Sequence, residues 1–507
     1  MTAPAPPAPI SLGARVRDLA ALDPERPLIT DKDRTVTRGE FDRRTDQIAR
    51  GLLVAGVRFG DLVTIGLGNG VDFVEACWGL WKIGATPQPI SHRLPQAEAD
   101  AVMDLARTPI LIAGPDLQAS APRYDIAALI ALDRGGPPPP DVVAPVWKAP
   151  TSGGSTGRPK LILSGAPGVY VPPEPGSLAG WGIEERDTVI MTGPLYHNGP
   201  LITSVGAVNQ GAHLVIRPRF DAEDTLAAIA RHRGSWIYLV PTMMSRLWRL
   251  APEVRAAYDV SSLKTVWHLA APCPAWLKQA WIDWLGAEAI MELYGGTEGQ
   301  AYTVISGVEW LNHRGSVGRV VMGEMKAVDG DGRALPVGET GEIFMRRPTG
   351  APPTYAYRGA EARTMADGWE SLGDIGWFDA DGYLYLADRR GDMILVGGSN
   401  VYPAEIEAAL DEHPLVQSSA AIGLPDDDLG NRVHAIVQSR AGLTEADLRA
   451  HVAERLVSYK QPRSYEFVAD NIRDDAGKVR RSQLRAERLV TGQVAPENVV
   501  TRPTGTA

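Results

Sequence analysis

Apolar and polar positions along the N-terminal half of the chain predict helices and strands in alternation. Apolar residues recur at helical spacing over residues 39–55, a short apolar run at 62–66 is typical of a buried strand, and a second helical pattern covers 71–82. The alternation continues with strands predicted at 188–192, 213–216, 236–240 and 265–269 and helices at 222–233 and 242–249. Because strands that alternate with helices usually form a parallel sheet covered by helices, we expect an α/β domain.

Between residues 315 and 386 the pattern changes to short alternating runs separated by tight turns. The turn sequences are Asp-Gly-Asp-Gly at 329–332 and Asp-Ala-Asp-Gly at 379–382, and alternating runs such as 341–345 and 383–386 lie beside them. A period of two is typical of strands with one buried face. We therefore expect a β-rich subdomain within the N-terminal domain.

After residue 388 strand and helix patterns return, which predicts a separate, small α+β domain. Its helices are predicted at 404–412 and 445–456 and its strands at 417–423 and 432–439. We expect the chain to divide into an N-terminal domain, residues 1–387, and a C-terminal domain, residues 388–507. The last twelve residues, 496–507, are polar and punctuated by proline and glycine, which predicts disorder.

Composition and charge exclude several classes of function. The 507 residues include 51 Lys plus Arg against 61 Asp plus Glu, a formal net charge of -10, and no basic block could neutralise a phosphate backbone. Nucleic acid is therefore not an expected partner. The first ten residues carry no basic or long apolar segment, and no later window holds eighteen uninterrupted apolar residues. We thus expect no signal peptide, no transmembrane helix and a cytoplasmic location.

A proline-rich connector precedes the most informative segment of the chain. Residues 133–150 include four consecutive prolines, which fit neither a helix nor a central strand. The next segment, 151–160, reads TSGGSTGRPK. Its backbone N–H groups and hydroxyls can surround a polyphosphate, and Lys160 can supply compensating charge. The order of residues differs from that of a P-loop NTPase, and an ordinary flexible loop is the alternative.

Five segments stand in a fixed order along the chain: TSGGSTGRPK, YGGTE at 294–298, Gly-Asp at 373–374, Asp-Arg at the start of 388–391, and Gly-Lys at 477–478. Together they resemble the motifs of the adenylate-forming superfamily of acyl-CoA and aryl-CoA synthetases, luciferases and nonribosomal adenylation domains. The resemblance extends over nearly the whole chain. It implies a reaction that joins a carboxylate to the α-phosphate of ATP and releases pyrophosphate, with Mg²⁺ balancing the charge.

The resemblance implies roles for individual residues. Lys478 corresponds to the adenylation lysine, and Glu298 and Thr297 correspond to an Mg²⁺ ligand and an α-phosphate contact. Asp374 corresponds to the ligand of the ribose hydroxyls. Further nucleotide and phosphate contacts are expected from Thr151, Ser152, Gly153, Gly154, Ser155, Thr156, Gly157, Lys160, Ala271, Pro272, Tyr294, Gly295 and Arg389. The charged residues could instead be exposed salt-bridge members, and Lys478 could be one lysine of a basic segment.

An acid pocket is expected next to the YGGTE segment. His197 in PLYHNGP corresponds to the position that borders the acyl pocket and the acceptor path, although it could instead cap a helix. Other expected pocket residues are Trp236, Val240, Trp267, His268, Ala270 and Gly296. The tryptophans could also be ordinary core residues. The glycine pair 295–296 lacks side-chain bulk, which favours a wide acid that is aryl, alicyclic, steroid-like or fatty.

The C-terminal domain is expected to be mobile, because in the resembling enzymes it rotates about the hinge at 388–391 and admits the thiol of CoA. Gly397 and Gly398 in GGSNVYP and Tyr459 in YKQP correspond to residues near that thiol path. CoA is therefore the expected acceptor of the acyl group. An amine acceptor and a non-catalytic adenylate- or acyl-binding protein are the alternatives, and a homodimer is one possible assembly.

Overall fold

The computed structural model describes residues 8–32, 34–153, 159–173, 179–426, 428–474 and 477–490. The chain divides into two compact units. The larger unit comprises Met1–Leu386 with Asp475–Gly477, and the smaller comprises Ala387–Asp474 with Lys478–Ala507. The segment 496–507 lies outside the described residues, so its predicted disorder stays a prediction.

A large mixed β-sheet forms the centre of the larger unit. From one edge to the other its strands are Arg34–Thr37, Pro27–Asp31, His213–Ile216, Thr188–Met191, Trp236–Leu239, Thr265–His268, Ile290–Gly295, Tyr302–Ser306, Ser316–Met322, Tyr383–Arg389, Glu370–Phe378, Gly341–Arg346 and Glu324–Val328, with Arg363–Thr364 beside Glu370–Phe378. Neighbouring strands from Pro27–Asp31 to Ile290–Gly295 pair in parallel. Beyond Ile290–Gly295 antiparallel pairings follow.

The predicted parallel sheet and the predicted β-rich region are both confirmed, but they form one continuous sheet. The joint is the strand Ile290–Gly295, which pairs in parallel with Thr265–His268 and antiparallel with Tyr302–Ser306. A local pattern of alternating residues shows that a strand exists, whereas its partner is decided by contacts far apart in sequence. The sequence therefore predicted that these strands exist but not that they pair into one sheet.

Smaller sheets complete the larger unit. Four strands pair in parallel in the order Thr86–Pro89, Leu62–Gly66, Leu111–Ala113 and Arg123–Tyr124. Three pair antiparallel in the order Tyr355–Arg358, Pro159–Ser164 and Thr151–Gly153. Ile10–Ser11 pairs with Val169–Tyr170. Residues 133–150 contain neither helix nor strand, as their prolines predict.

Helices cover the sheets of the larger unit. They are Leu12–Leu22, Arg38–Val54, Val71–Trp81, Gln96–Ala106, Ile126–Ala131, Asn198–Gln210, Ala222–His232, Pro241–Trp248, Pro252–Ala256, Ala275–Leu285 and Gly307–Asn312, with 3₁₀ turns at Ala179–Gly182, Ala287–Ala289 and Ala366–Gly368. Local chemistry sets several ends: the Asp221 side chain accepts the N–H of Asp224 at the start of Ala222–His232. Gly211 ends Asn198–Gln210 with φ of 76°, a conformation that glycine adopts at little cost.

The helix Asn198–Gln210 escaped prediction. Its sequence, NGPLITSVGAVNQ, consists mostly of residues with weak helix propensity, namely glycine, asparagine, valine, isoleucine, serine, threonine and proline. The helix packs into a core that includes the fully buried Leu201 and Val208. Burial therefore stabilises a helix that local propensity does not favour.

The smaller unit has the predicted α+β composition and a core of its own. Its strands are Val416–Asp426, antiparallel to Gly430–Ser439, and Ser464–Val468, parallel to Gly430–Ser439. Ile394–Val396 and Ser399–Val401 form a hairpin. The helices are Pro403–Asp411, Glu445–Ala453 and Arg481–Val490, with a 3₁₀ turn at Ser458–Lys460. Across the described parts of both units, no helix has the length and apolar character needed to cross a bilayer.

Candidate functional site

The two ends of the Gly-rich segment 151–160 form a β-hairpin. Thr151 lies opposite Leu161, and Ser152 lies opposite Lys160, in the antiparallel pair Thr151–Gly153 and Pro159–Ser164. The hairpin fixes where the segment leaves and re-enters the sheet. Gly154, Ser155, Thr156 and Gly157 lie outside the described residues, and of Ser152 and Gly153 the structure describes the backbone; their phosphate contacts stay predictions.

In this hairpin Lys160, opposite Ser152, lies against two residues from distant parts of the sequence. Its Nζ is 3.7 Å from Glu298 Oε1 and 3.9 Å from the centre of the Tyr357 ring. The Tyr357 hydroxyl donates a hydrogen bond of 2.5 Å to the same oxygen of Glu298. Glu298 is only 6% exposed. A cation, a phenol and a buried carboxylate therefore meet where the sequence predicts the Mg²⁺ ligand.

Tyr357 is a site residue that the sequence analysis missed. It lies on Tyr355–Arg358, which pairs with the Lys160 strand so that Tyr357 is opposite Ile162. Burial and the hydrogen bond to Glu298 raise the pKa of the Tyr357 phenol well above its usual range. The Tyr-Ala-Tyr sequence was the available signal, because residues two apart on a strand share one face.

Tyr355 extends the cluster by one further carboxylate. Its hydroxyl donates to Glu370 Oε2 at 2.6 Å, and the Gln300 amide also donates to that oxygen. The rings of Tyr355 and Tyr357 lie 4.6 Å apart, edge to face. Two tyrosine–carboxylate pairs thus stand side by side, one on Glu298 and the other on Glu370.

The predicted ribose site brings two predicted residues together. The Tyr294 hydroxyl donates to Asp374 Oδ2 at 2.7 Å, which joins the strands Ile290–Gly295 and Glu370–Phe378 by their side chains. Asp374 is 8% exposed. Ala270, beside the predicted contacts Ala271 and Pro272, adopts φ of 76°, an unusual conformation for a residue with a Cβ atom.

His197 is the residue that precedes the helix Asn198–Gln210. It occupies the N-cap position, yet its side chain makes no capping hydrogen bond to the helix. Its ring lies 4.5 Å from the ring of Tyr196. A capping role therefore does not account for this histidine.

The predicted acid-pocket residues lie on both faces of the central sheet. The indole N–H groups of Trp236 and Trp267 both donate to the carbonyl of Trp181, at 3.0 and 3.2 Å. Both tryptophans are almost completely buried, which agrees with the core interpretation. Val240, at the start of Pro241–Trp248, is also buried.

His268 lies on the face opposite to Trp267, because successive side chains of a strand alternate. Its Nδ1 is 3.9 Å from Glu292 Oε1, and Lys278 Nζ is 2.5 Å from Glu292 Oε2. Burial lowers the pKa of His268 to about 4, so the imidazole is neutral at physiological pH. The structure therefore places His268 and Trp267 on opposite faces of the sheet and not side by side in one pocket.

The glycine pair 295–296 lies in tight packing. A Cβ atom added to Gly295 would lie 2.9 Å from Tyr302 Cβ, and one added to Gly296 would lie 2.4 Å from Leu372 Cδ1 and 2.7 Å from Glu298 Oε2. Glycine thus allows the close approach of these groups. The inference that the pair leaves room for a wide acid stays a prediction.

Lys148 is a second residue that the sequence analysis missed. This buried lysine donates from Nζ to Oδ1 of Asn198, the residue after His197. Burial lowers the pKa of Lys148 to about 8, although attraction to Glu298 opposes the shift. A single lysine in the otherwise apolar run VWKAP, directly before the Gly-rich segment, was the signal for it.

In the smaller unit, Asp388 joins the predicted hinge to a helix. Its carboxylate accepts the N–H groups of Arg389 and Ala404, each at 2.7 Å, and Ala404 lies in the first turn of Pro403–Asp411. Burial raises the pKa of Asp388 to about 6. The residues at the predicted hinge are therefore part of a specific contact.

The residues predicted to border the thiol path have local structural explanations as well. Gly397 and Gly398 form the two-residue connection of the hairpin, with φ of 54° and 84°, and glycine suits such turns. Tyr459 is 47% exposed.

The predicted adenylation lysine, Lys478, is held by its backbone. The backbone N–H of Lys478 donates to Asp474 Oδ1 at 2.9 Å, and the N–H of Asp474 donates to the Lys478 carbonyl at 2.9 Å.

Fold and site together define an α/β protein of two units, in which a buried carboxylate meets a lysine and a tyrosine at the hairpin that carries Lys160. The family described as AMP-binding enzyme matches residues 16–355, and the AMP-binding enzyme C-terminal domain matches residues 405–478. The chain belongs to the family of AMP-binding enzymes.

Known relatives resemble the chain over almost its whole length. The 2-succinylbenzoate–CoA ligase of Geobacillus kaustophilus is 30% identical over 93% of this chain and 96% of its own. The o-succinylbenzoate CoA synthetase of Bacillus subtilis in complex with its acyl-adenylate intermediate has a TM-score of 0.78 at 25% identity, covering 94% of this chain and 99% of its own. The same synthetase with ATP and magnesium has a TM-score of 0.76 at 26% identity, covering 94% and 99%.

Proposed function

We propose that the protein is an ATP-dependent acid–CoA ligase. The observation that carries the proposal is the cluster of Lys160, Glu298 and Tyr357 in a chain that belongs to the AMP-binding enzymes. A reaction between two anions, a carboxylate and ATP, needs positive charge and a divalent cation near the phosphates. The cluster offers a cation and a carboxylate of the required kinds side by side.

The proposed reaction has two steps. A carboxylate oxygen of the acid attacks the α-phosphorus of ATP, the bond to the bridging oxygen of the β-phosphate breaks, and pyrophosphate leaves. The CoA sulfur then attacks the acyl carbon and loses its proton, and AMP leaves with the oxygen that came from the acid. The products are a thioester, AMP and pyrophosphate.

In this proposal the larger unit binds ATP. Lys160 pairs with phosphate oxygens, and Thr297 contacts the α-phosphate. Glu298 suits Mg²⁺, which prefers carboxylate oxygens and would offset phosphate charge when bound. Tyr294 orients the Asp374 carboxylate, and that carboxylate accepts hydrogen bonds from the ribose hydroxyls.

The smaller unit supplies further proposed groups. Lys478 assists adenylation, and residues 388–391 serve as the hinge between domains 1–387 and 388–507. In the smaller unit, Gly397, Gly398 and Tyr459 border the path of the CoA thiol. In the larger unit, His197 borders the acyl pocket and the acceptor path. The proposal is supported by the match of residues 405–478 to the C-terminal domain of AMP-binding enzymes.

The proposed acid is a bulky carboxylate. This proposal is supported by the relatives, of which one is named for 2-succinylbenzoate, an aromatic acid. Aryl, alicyclic, steroid-like and fatty acids are the classes to compare, because pocket selectivity depends on a few contacts.

The experiment that tests this function offers the protein ATP, Mg²⁺ and acids of these four classes, with CoA, with an amine, or with neither. Products are identified by mass spectrometry. A thioester that forms only when acid, ATP and CoA are all present supports the ligase. An amide without a thioester would show an amine-dependent ligase instead, and the absence of pyrophosphate with every acid would contradict catalysis.

A further inference from the structure

The chain on either side of Lys478 is closed by short backbone contacts within the smaller unit. Arg473 and Val479 form an isolated antiparallel β-bridge. Asp474 exchanges two hydrogen bonds of 2.9 Å with Lys478, one from each backbone N–H. Residues 475 and 476 lie outside the described chain. The two hydrogen bonds therefore tie the Lys478 backbone to Asp474, directly beside the bridge between Arg473 and Val479.

One buried carboxylate, that of Glu407, binds an arginine on each side of Lys478. Glu407 Oε2 is 3.0 Å from Arg473 Nη2, on one side of Lys478. Arg481, on the other side, donates from Nη2 to Glu407 Oε1 and Oε2 at 2.9 Å each, and from Nε to Oε1 at 3.2 Å. The sequence does not suggest this arrangement, because Glu407 is far from both arginines along the chain.

Glu407 itself is held rigidly. It is 5% exposed and lies on Pro403–Asp411, whose Ile406 and Leu410 are fully buried in the core of the unit. The backbone N–H of Ala421 donates a further hydrogen bond to Glu407 Oε1 at 3.0 Å. A carboxylate fixed on a core helix can therefore fix the arginines that it binds.

The same network reaches the predicted hinge. Arg481 Nη1 lies 2.7 Å from Asp392 Oδ2, and the nearby carboxylates, with Glu407 first among them, raise the pKa of Arg481 against the effect of burial. Asp388 binds the first turn of the helix that carries Glu407. The hinge segment, this helix and the Lys478 segment are thus one connected set of polar contacts.

We propose that Glu407 is a positioning residue for adenylation, because it holds Arg473 and Arg481 and so fixes the segment that carries Lys478. This inference rests on the proposed function. Glu407 acts through the arginines, so its loss should impair the step that uses Lys478. Attack of CoA on an adenylate already formed does not need Lys478, and that step should be preserved.

The test measures the two half-reactions separately in the full-length protein. Acid-dependent exchange of pyrophosphate into ATP reports adenylation, and thioester formation from supplied acyl-AMP and CoA reports the second step. For Glu407→Gln we expect exchange to fall by about 100-fold, since a displacement near 1 Å can cost that much. Thioester formation should stay within about 2-fold, in the range expected when transition-state contacts are kept.

The matched control is Glu466→Gln. Glu466 also pairs with an arginine of the smaller unit, with Arg488 Nε at 2.6 Å from its Oε2, and its other side-chain partner among the described residues is His434, not an arginine beside Lys478. We expect this variant to keep both half-reactions. Glu407→Asp, which retains the charge, should recover part of the lost exchange.

Equal loss of both half-reactions in Glu407→Gln, or no loss of exchange, would overturn the proposal. If Glu407→Gln does not fold, as judged by circular dichroism, Arg473→Gln decides: it removes one end of the contact and leaves Glu407 paired with Arg481. Selective loss of exchange in that variant supports the proposal, and unchanged exchange contradicts it. A wild-type protein without any acid-dependent exchange would instead contradict the proposed ligase itself.

Discussion

Tyr357 and Tyr355 stand next to each other and bind different carboxylates, so they form a natural pair of variants. In the proposed enzyme Tyr357 orients Glu298, the residue suited to Mg²⁺. Removing the partner of a metal ligand commonly costs 10- to 100-fold in metal affinity or activity. We expect Tyr357→Phe to raise the Mg²⁺ concentration for half-maximal pyrophosphate formation roughly 10-fold.

The control for this prediction is Tyr355→Phe, whose lost hydroxyl binds Glu370 and not Glu298. It should leave the Mg²⁺ requirement close to that of the wild type. The measurement is the initial rate of pyrophosphate release over a series of Mg²⁺ concentrations at saturating ATP. Equal Mg²⁺ requirements in wild type and Tyr357→Phe would refute the assigned role.

Lys148 leads to a prediction about stability and pH. Its pKa is about 8 in the folded protein, against 10.5 for an ordinary lysine, because burial disfavours its charge. Between pH 8 and 10.5 the unfolded chain therefore binds more protons than the folded protein, and this group makes folding more favourable as pH rises. Below pH 8 Lys148 is charged in both states, so its unfavourable contribution to the free energy of folding no longer changes with pH.

Comparison of wild type with Lys148→Met isolates this contribution. We expect the unfolding free energy of the wild type, relative to the variant, to increase by roughly 3 kcal/mol from pH 8 to 10.5. Urea denaturation can be followed by tryptophan fluorescence, since all 13 tryptophans precede residue 387 and so report on the larger unit. The exposed Lys264→Met serves as the control. A constant difference across this pH range would contradict the assignment.

At the residue level, the motifs predicted which polar residues matter better than they predicted the contacts between those residues. Glu298, Tyr294 and Asp374 stand in recognisable segments, and the structure places Tyr294 against Asp374. Tyr357 and Lys148 lie between motifs, where the local sequence gives a weak signal and their partners in space show that they belong to the site. For the glycine pair 295–296 a sequence shows that side chains are missing but not which atoms lie nearby, so the room for a wide acid stays a prediction.

At the level of elements, the helix Asn198–Gln210 contains two glycines in opposite surroundings. A Cβ atom at Gly199 would lie 2.5 Å from the Tyr238 hydroxyl oxygen and 2.8 Å from its ring. One at Gly206 would meet only ordinary contacts, at 3.9 Å from Ile183 and 4.0 Å from Trp181. The first glycine thus allows the helix to approach the sheet, and the second does not.

We expect Gly199→Ala to destabilise the larger unit by about 1 to 3 kcal/mol, the usual cost of overpacking. Because His197 directly precedes this turn, the KM for the acid should also rise. Gly206→Ala should be neutral or stabilising by about 0.5 to 1 kcal/mol, since alanine favours a helix interior. Urea denaturation and acid titrations measure both effects, and equal behaviour of the two variants would contradict this account.

Regular strands and strongly periodic helices were predictable from local pattern alone. The expected strand at 62–66 is Leu62–Gly66, and the expected helix at 222–233 is Ala222–His232 with its Asp221 cap. The helix Asn198–Gln210 was not, because its residues favour a helix only when buried. The pairing of the parallel and antiparallel strands into one sheet could not be predicted either, since pairing joins residues that are distant in sequence.

For the whole molecule, the central claim is that this member of the AMP-binding enzymes activates an acid by forming its adenylate. Each unit carries groups that the proposal requires: Lys160 and Glu298 in the larger, Lys478 in the smaller. Activation through an adenylate has a chemical signature that a phosphate-transfer route lacks. One oxygen of the acid must end on AMP.

The most direct measurement therefore uses an acid with both carboxylate oxygens labelled with ¹⁸O, together with ATP, Mg²⁺ and CoA. Mass spectrometry of the nucleotide product should show AMP carrying one ¹⁸O atom, in equal amount to the thioester. Unlabelled AMP, or ADP in place of AMP, would contradict the account.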